Sequence, residues 1–396
     1  MINKLLSKKI NGEQLYLITF SIYLFFAFLR NSTFNPFIGS RIFNLVSYLV
    51  FAILVFKIFF FDNYNLKCLV IILICLLISL VSWRMSSSNL IIVMTAFILA
   101  ARNVSFREII KWYFIINLIL LLMVILFALF GVIQNLVYTV KGRQDRYSLG
   151  ISYPTDLASH VLYLILANAY INFNKLNWHY YFSYFLIAMI LKIITDARLS
   201  IICILLTIPV LYIAQKAQLG NKVARIFTSF FWIITPISAA ITFFSTYFFD
   251  NRNKIFYFID HLLSGRLSYG KTALNLYPIK MFGQKIIEQG FGGNFGKMLS
   301  NSGSYGYFYI DSSYMRLILI YGFLVFIVFI SMMIYISIRE TLKGNYILPA
   351  ILLIITISCI VEQHLLELTY NPFLLVLLST QKDNLFKGSF FKNGRK

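Results

Sequence analysis

Asp311-Ser312-Ser313-Tyr314-Met315-Arg316 puts a carboxylate, two hydroxyls, a phenol and a guanidinium in six residues, just ahead of a long apolar run. A carboxylate can take the proton of an attacking hydroxyl. A guanidinium binds phosphate or carboxylate oxygens in planar, bidentate fashion and stabilises charge on a leaving group. Asp at such a place is equally an ordinary helix N-cap, and both readings of Asp311 stand. A second charged group, Glu362-Gln363-His364 through Glu367, separates two apolar runs and precedes Tyr370-Asn371-Pro372. Ionisable residues there are costly unless they face water or one another. Glu362 lies closest to the preceding apolar run and is the stronger candidate.

Further candidates are arginines. Arg143 and Arg146 fall on one face if their segment is helical. Pro154-Thr155-Asp156 reads as a helix start, with His160 one turn inside, either a hydrogen-bonded spectator or a working imidazole. Asp196 and Arg198 form either a surface ion pair of little value or, if their turn dips into the bundle, a functional pair. Arg266 follows Ser264-Gly265, and Tyr305, Tyr307 and Tyr309 alternate ahead of Asp311. Such tyrosines stack on sugar rings or line a head-group belt.

Several classes are excluded. Gly292-Gly293-Asn294-Phe295-Gly296-Lys297 is one residue short of a P-loop and continues with Met298, so it reads as a flexible Gly-rich loop. No zinc-type His or Cys spacing occurs, and Cys68, Cys75, Cys203 and Cys359 all fall in apolar segments as small buried hydrophobes. The expectation is therefore no cofactor and no metal, with the energy coming from the substrate or an ion gradient.

The elements that must carry these groups are membrane helices. Of 396 residues 60% are hydrophobic and 12% charged, with a mean hydropathy of +0.79. Apolar runs near 20 residues cross a bilayer, and the runs are continuous rather than alternating as in a β-barrel. They predict an all-α, polytopic bundle filling residues 1–396 as one integral membrane domain. Spans fall near 15–30, 41–61, 67–83, 89–101, 111–133, 155–173, 179–195, 198–215, 224–249, 312–338, 346–361 and 365–381. The fourth, eighth and twelfth are short or poorly separated, which gives a range of ten to twelve. The basic start, Met1 to Ile10, has no small-residue cleavage site after the first run, which reads as a retained helix. A net charge of +21 lies mostly beside apolar runs, where it sets topology and meets anionic lipids rather than nucleic acid. Lys8, Arg107, Lys216 and Arg339 then fall inside, placing both termini in the cytoplasm. Two loops are left outside, 134–155 and a large one at 250–311 before the last three spans.

Gly265-Arg266, Phe282-Gly283, the Gly-rich stretch, Asp311 to Arg316 and Tyr321-Gly322 together resemble the Wzy polymerases of O-antigen, capsule and exopolysaccharide clusters, with Ser312 where that family more often has Asn. Ser148-Leu149-Gly150 with Tyr153-Pro154, and Glu362 with Asn371-Pro372, are similar to its other signatures. The resemblance implies a glycosyltransferase, independent of metal and nucleotide, that joins undecaprenyl-pyrophosphate-linked repeat units at the outer face of the cytoplasmic (inner) membrane. It implies Asp311 or Glu362 as base, with His160 and His364 in reserve. Arg143, Arg146, Arg198, Arg266, Tyr314 and Arg316 would contact pyrophosphate or glycan. Expected partners are membrane lipids, a flippase and a chain-length regulator. The rival readings are a lipid-linked oligosaccharide flippase, which usually has short loops, an O-acyltransferase, which would want a catalytic His near the cytoplasmic face, and the closely related O-antigen ligase.

Overall fold

The computed structural model describes residues 11–139, 144–302 and 306–381. Its helices are α1 Gly12–Arg30, α2 Asn35–Phe60, α3 Leu66–Ser86, α4 Leu90–Ala100, α5 Phe106–Leu129, α6 Pro154–Asn172, α7 Trp178–Thr195 and α8 Arg198–Gln218. They continue with α9 Lys222–Ser229, α10 Ile234–Tyr247, α11 Lys254–Leu262, α12 Arg266–Leu276, α13 Gly293–Ser302, α14 Ser313–Arg316, α15 Phe323–Leu342 and α16 Ile347–Ser358. Among the described residues seven helices are long and apolar enough to cross a membrane: α1, α2, α3, α5, α8, the continuous Lys222–Tyr247 rod and α15. Outward-facing residues such as Leu77, Ile119 and Ile193 remain bare apolar surface, as expected where lipid replaces water.

Chain signals explain the boundaries. Asn11 and Gln14 form a capping box at the start of α1, and Asn65 caps α3 through Cys68 N–H. Pro154 occupies the first turn of α6, where its missing N–H costs nothing. The Gly-rich stretch is not a loop as expected: Gly293–Ser302 is helical, and Gly296 is small because a Cβ there would meet the Phe291 backbone at 2.5 Å.

Two helices are short. At 1.5 Å per residue, α4 with 11 residues and α16 with 12 span roughly 16–18 Å, about half of a hydrocarbon core of about 30 Å. The far end of α4 is pinned by Lys57 Nζ, which donates to the Ala100 and Arg102 carbonyls at 2.7 and 2.6 Å and to Asp62 at 2.8 Å. The space above the other end of each short helix belongs to the cavity described below.

After α16 the chain is not the expected helix over 365–381. It runs as irregular backbone with two short 3-10 turns, His364–Leu366 and Phe373–Leu377. Buried backbone without a helix must find other partners, and here side chains supply them. Tyr113 donates to the Thr369 and Tyr370 carbonyls, Asn371 to Leu365, and Arg339 to Val376 and Leu377. Thr380 finally pairs with Val104 and Phe106 beside the Lys57 end.

Candidate functional site

The Asp311 run folds as a clamp rather than as a cap. Helix ends leave carbonyls without partners, and residues 312–314 satisfy those near the end of α16. Tyr314 hydroxyl donates to Thr356 O at 2.8 Å, Ser312 hydroxyl to Cys359 O at 3.3 Å, and Ser313 N–H to Cys359 O and Glu362 O, both at 3.1 Å. Tyr314 is fully buried by this role and is not among the residues that line the cavity described below. Ser312 precedes α14 but makes no side-chain cap. Asp311, one residue earlier, turns elsewhere: Tyr307 hydroxyl donates to it at 3.3 Å, and Arg266 Nε lies 3.8 Å away.

Arg316, at the end of α14, donates to Glu288 Oε1 at 2.8 Å and to Ile310 O at 3.0 Å. Glu288 is placed by antiparallel pairing of Gln289 with Phe308, and it also accepts from Ile310 N–H. The two motif glycines close this corner. Gly283 and Gly322 both have positive φ, 81° and 105°, and they pack directly against each other. A Cβ on Gly283 would lie 2.0 Å from Ile320 O, and one on Gly322 would lie 2.3 Å from Gly283 N. Leu317–Tyr321 between them forms a π-helical turn, a form common at functional sites.

These groups meet at one cavity of about 1460 Å³. Its wall contains Arg30, Arg146, Arg198, Arg266, Lys285 and Arg316, which makes six cations. It also contains Asp156, Asp196, Glu288, Asp311, Glu362 and Glu367, which makes six carboxylates, together with His364. The surplus of basic residues expected around the site is therefore balanced locally by six of the 14 acids that the chain has. His364 is almost fully buried and is surrounded by carboxylates. Its ring nitrogens stand 3.5 Å from Asp156, 3.8 Å from Glu362 and 3.4 Å from Glu367, none in hydrogen-bond geometry. Tyr370 stacks on His364 at 3.6 Å and on His160 at 4.0 Å between ring centroids. His160 is buried against Phe28 on its other side and does not line the cavity.

Burial pushes the Asp311 carboxyl above its usual range, against the opposing pull of Arg266 and Arg316. The Tyr307 phenol also goes up, by burial first and then by the Asp311 charge.

The remaining arginines sort differently from expectation. Arg143 lies outside the described residues, as does Tyr305. Arg146 is not on a helix face but in a two-residue strand, Arg146–Tyr147, paired with Val137–Tyr138. Its Nε donates to Thr195 O at 2.8 Å. Asp196 does not depend on Arg198, since Lys192 reaches it from one turn back. Arg198 is exposed at the cavity wall and makes no hydrogen bond or ion pair among the described residues. Arg30, Glu288 and Asp156 are cavity residues that the sequence reading passed over as functional groups. For Glu288 and Asp156 the signal was rarity: only 14 Asp and Glu occur in the chain, so each acid is conspicuous in an apolar background, whereas Arg30 is one of 35 basic residues and carries no such signal.

Compared with protein-family models, curated proteins and solved structures, the chain matches none. The site itself therefore carries the functional reading.

Proposed function

We propose that the chain is a polysaccharide polymerase of the Wzy type, joining polyprenyl-pyrophosphate-linked repeat units at the outer face of the cytoplasmic membrane. In this reading α4, α6, α7, α16 and the irregular 359–380 segment count as passes beside the seven long apolar helices, giving twelve in all. Both ends then lie in the cytoplasm and the cavity opens outward through the 250–311 region. One observation carries the proposal: a large cavity cut into an apolar bundle, where buried carboxylates stand beside arginines. Placing such charges at membrane depth is costly, so a task for them is the default reading.

The chemistry follows from the groups present. The acceptor hydroxyl attacks the anomeric carbon of the growing chain, its proton passes to a carboxylate, and polyprenyl pyrophosphate leaves. Glu362 fits the role of base better than Asp311, because among the described residues no arginine lies within 4 Å of its carboxylate, and His364 stands 3.8 Å away to receive charge. Asp311 instead orients Arg266, and Arg266 with Arg198 faces the leaving pyrophosphate. No nucleotide is needed, since the pyrophosphate ester supplies the driving force.

The test is the glycan profile of a strain lacking the protein, with lipid-linked intermediates extracted and sided by accessibility. Single repeat units on the outer face with long polymer lost support the polymerase. Units held on the inner face would mean a flippase, and lipid-linked polymer left untransferred would mean a ligase.

A further inference from the structure

One arm of the cavity differs from the rest. It runs between α1, α2 and the start of α4, and below its rim its wall is amide, hydroxyl and aromatic rather than charged: Asn44, Tyr48, Ser86, Ser88 and Asn89. Asn89 Nδ2 donates to Asn44 Oδ1 at 3.1 Å. That leaves the other amide oxygen and the other NH2 of the pair without a protein partner among the described residues. Asn89 is only 9% exposed, so its free acceptor faces the cavity and little else. The pair also sits on a membrane-length helix: Asn44 lies thirteen residues from Lys57, about 20 Å along α2, a helix long and apolar enough to cross a bilayer. Unpaired amide groups there are expensive unless a polar ligand meets them. At the rim stands Arg30, its guanidinium 4.2 Å over the Phe43 ring, with no carboxylate within 4 Å among the described residues.

An amide pair offering one donor and one acceptor, aromatic faces alongside, and a free guanidinium at the rim match a phosphorylated sugar. The hydroxyl or acetamido groups would meet Asn44 and Asn89, the ring would lie against Tyr48, and the phosphate would meet Arg30. We infer that this arm is a carbohydrate subsite that holds the first sugar of a phosphate-linked glycan and sets which sugar is accepted. The inference deepens the polymerase reading and rests on it for the lipid carrier, but sugar binding can be measured without turnover.

Tyr48 meets Trp83 edge-on at 5.7 Å, which provides a local reporter. The full chain, with Trp112, Trp178 and Trp232 changed to Phe, is placed in phosphatidylcholine nanodiscs and titrated with glucose 1-phosphate, galactose 1-phosphate, N-acetylglucosamine 1-phosphate and inorganic phosphate. At least one sugar phosphate is expected to saturate the Trp83 signal about tenfold more tightly than phosphate. Asn44→Ala and Asn89→Ala should abolish that advantage yet leave phosphate binding, while Arg30→Ala should weaken both ligands about equally. Asn89→Ser, checked for an unchanged melting midpoint, covers the case in which an alanine variant misfolds. Sugar phosphates that bind no better than phosphate, or an advantage that survives both Asn variants, would overturn the subsite. So would displacement by added phosphatidylglycerol at equal potency, which would make Arg30 a lipid head-group contact. Loss of the polymerase reading in the deletion strain, with the sugar advantage intact, would leave the subsite standing on a different reaction.

Discussion

Gly283→Ala isolates one cause of the site's rigidity. The residue has φ of 81°, and a left-handed alanine costs about 1–2 kcal/mol wherever it occurs. The added Cβ also meets Ile320 O at 2.0 Å, and this neighbour is backbone held on both sides, so it cannot swing away. Relief requires opening the clasp in which Gln284 N–H donates to Ile320 O, Phe323 N–H to Lys280 O and Leu324 N–H to Met281 O. Three such bonds at about 1 kcal/mol each bring the total to roughly 4–5 kcal/mol, at the upper end for a single substitution. Gly344→Ala is the control. Its φ is 73° but nothing lies within 4 Å of its Cβ, so only the backbone strain of about 1–2 kcal/mol applies. The apparent thermal midpoints of both variants in detergent, read with hydrogen exchange at Gln284, Phe323 and Leu324, measure the difference. Equal midpoint shifts, or unchanged protection of those three amides in the Gly283 variant, would refute the close-approach argument.

Glu362→Gln should lower polymer formation about 10²–10⁴-fold while the purified protein keeps its melting midpoint; wild-type polymer length and yield in a complemented null strain would remove Glu362 as the base. Asp62→Ala strands Lys57, both side chains being 1% exposed, and should cost about 3–5 kcal/mol, whereas Lys57→Met with Asp62→Leu removes the buried charge and should recover part of that loss, less the two bonds to the Ala100 and Arg102 carbonyls; a double variant as unstable as the single one in thermal melts would sink this reading. The Asp311 carboxyl titrates above its ordinary 3.8 in the folded protein, so the fold holds that proton more tightly than the unfolded chain does. Wild type should therefore lose stability relative to Asp311→Asn as pH rises from about 4 through the raised value, and parallel midpoint-against-pH curves for the two proteins would falsify the assignment.

What could be read beforehand was whatever depends on local pattern. Apolar run length marks the helices, Pro154 marks the start of α6, and the cost of charge in an apolar setting marks Glu362 and His364. Contacts between distant residues could not be read. Nothing local pairs Arg266 with Asp311 or Arg316 with Glu288, 28 residues apart. The strand at Arg146 is set by Val137 and Tyr138 rather than by its own neighbours. The same limit explains Tyr314, whose phenol reads as a ligand group until the open end of α16 is seen to need a donor. The 365–381 run is as apolar as a helix, yet Asn371 and Pro372 divide it, and partners on α5 and α15 make the irregular path affordable.

The position of the site follows from the short helices more than from any motif. α4 and α16 fill only about half of a bilayer core, so a bundle of otherwise full-length helices contains a gap above each. The Asp311 run and the Asn371 turn satisfy the backbone left open around one gap, while the Gly283–Gly322 contact fixes the wall between them. Charged groups then divide by partner. Arg266 and Arg316 face carboxylates at 3.8 and 2.8 Å and hold the wall in shape, whereas Arg30 and Arg198 have no acidic partner among the described residues. A guanidinium already paired gains less from a new anion than one that is unpaired. Oxyanions should therefore bind at Arg30 and Arg198 first, ahead of Arg266 and Arg316.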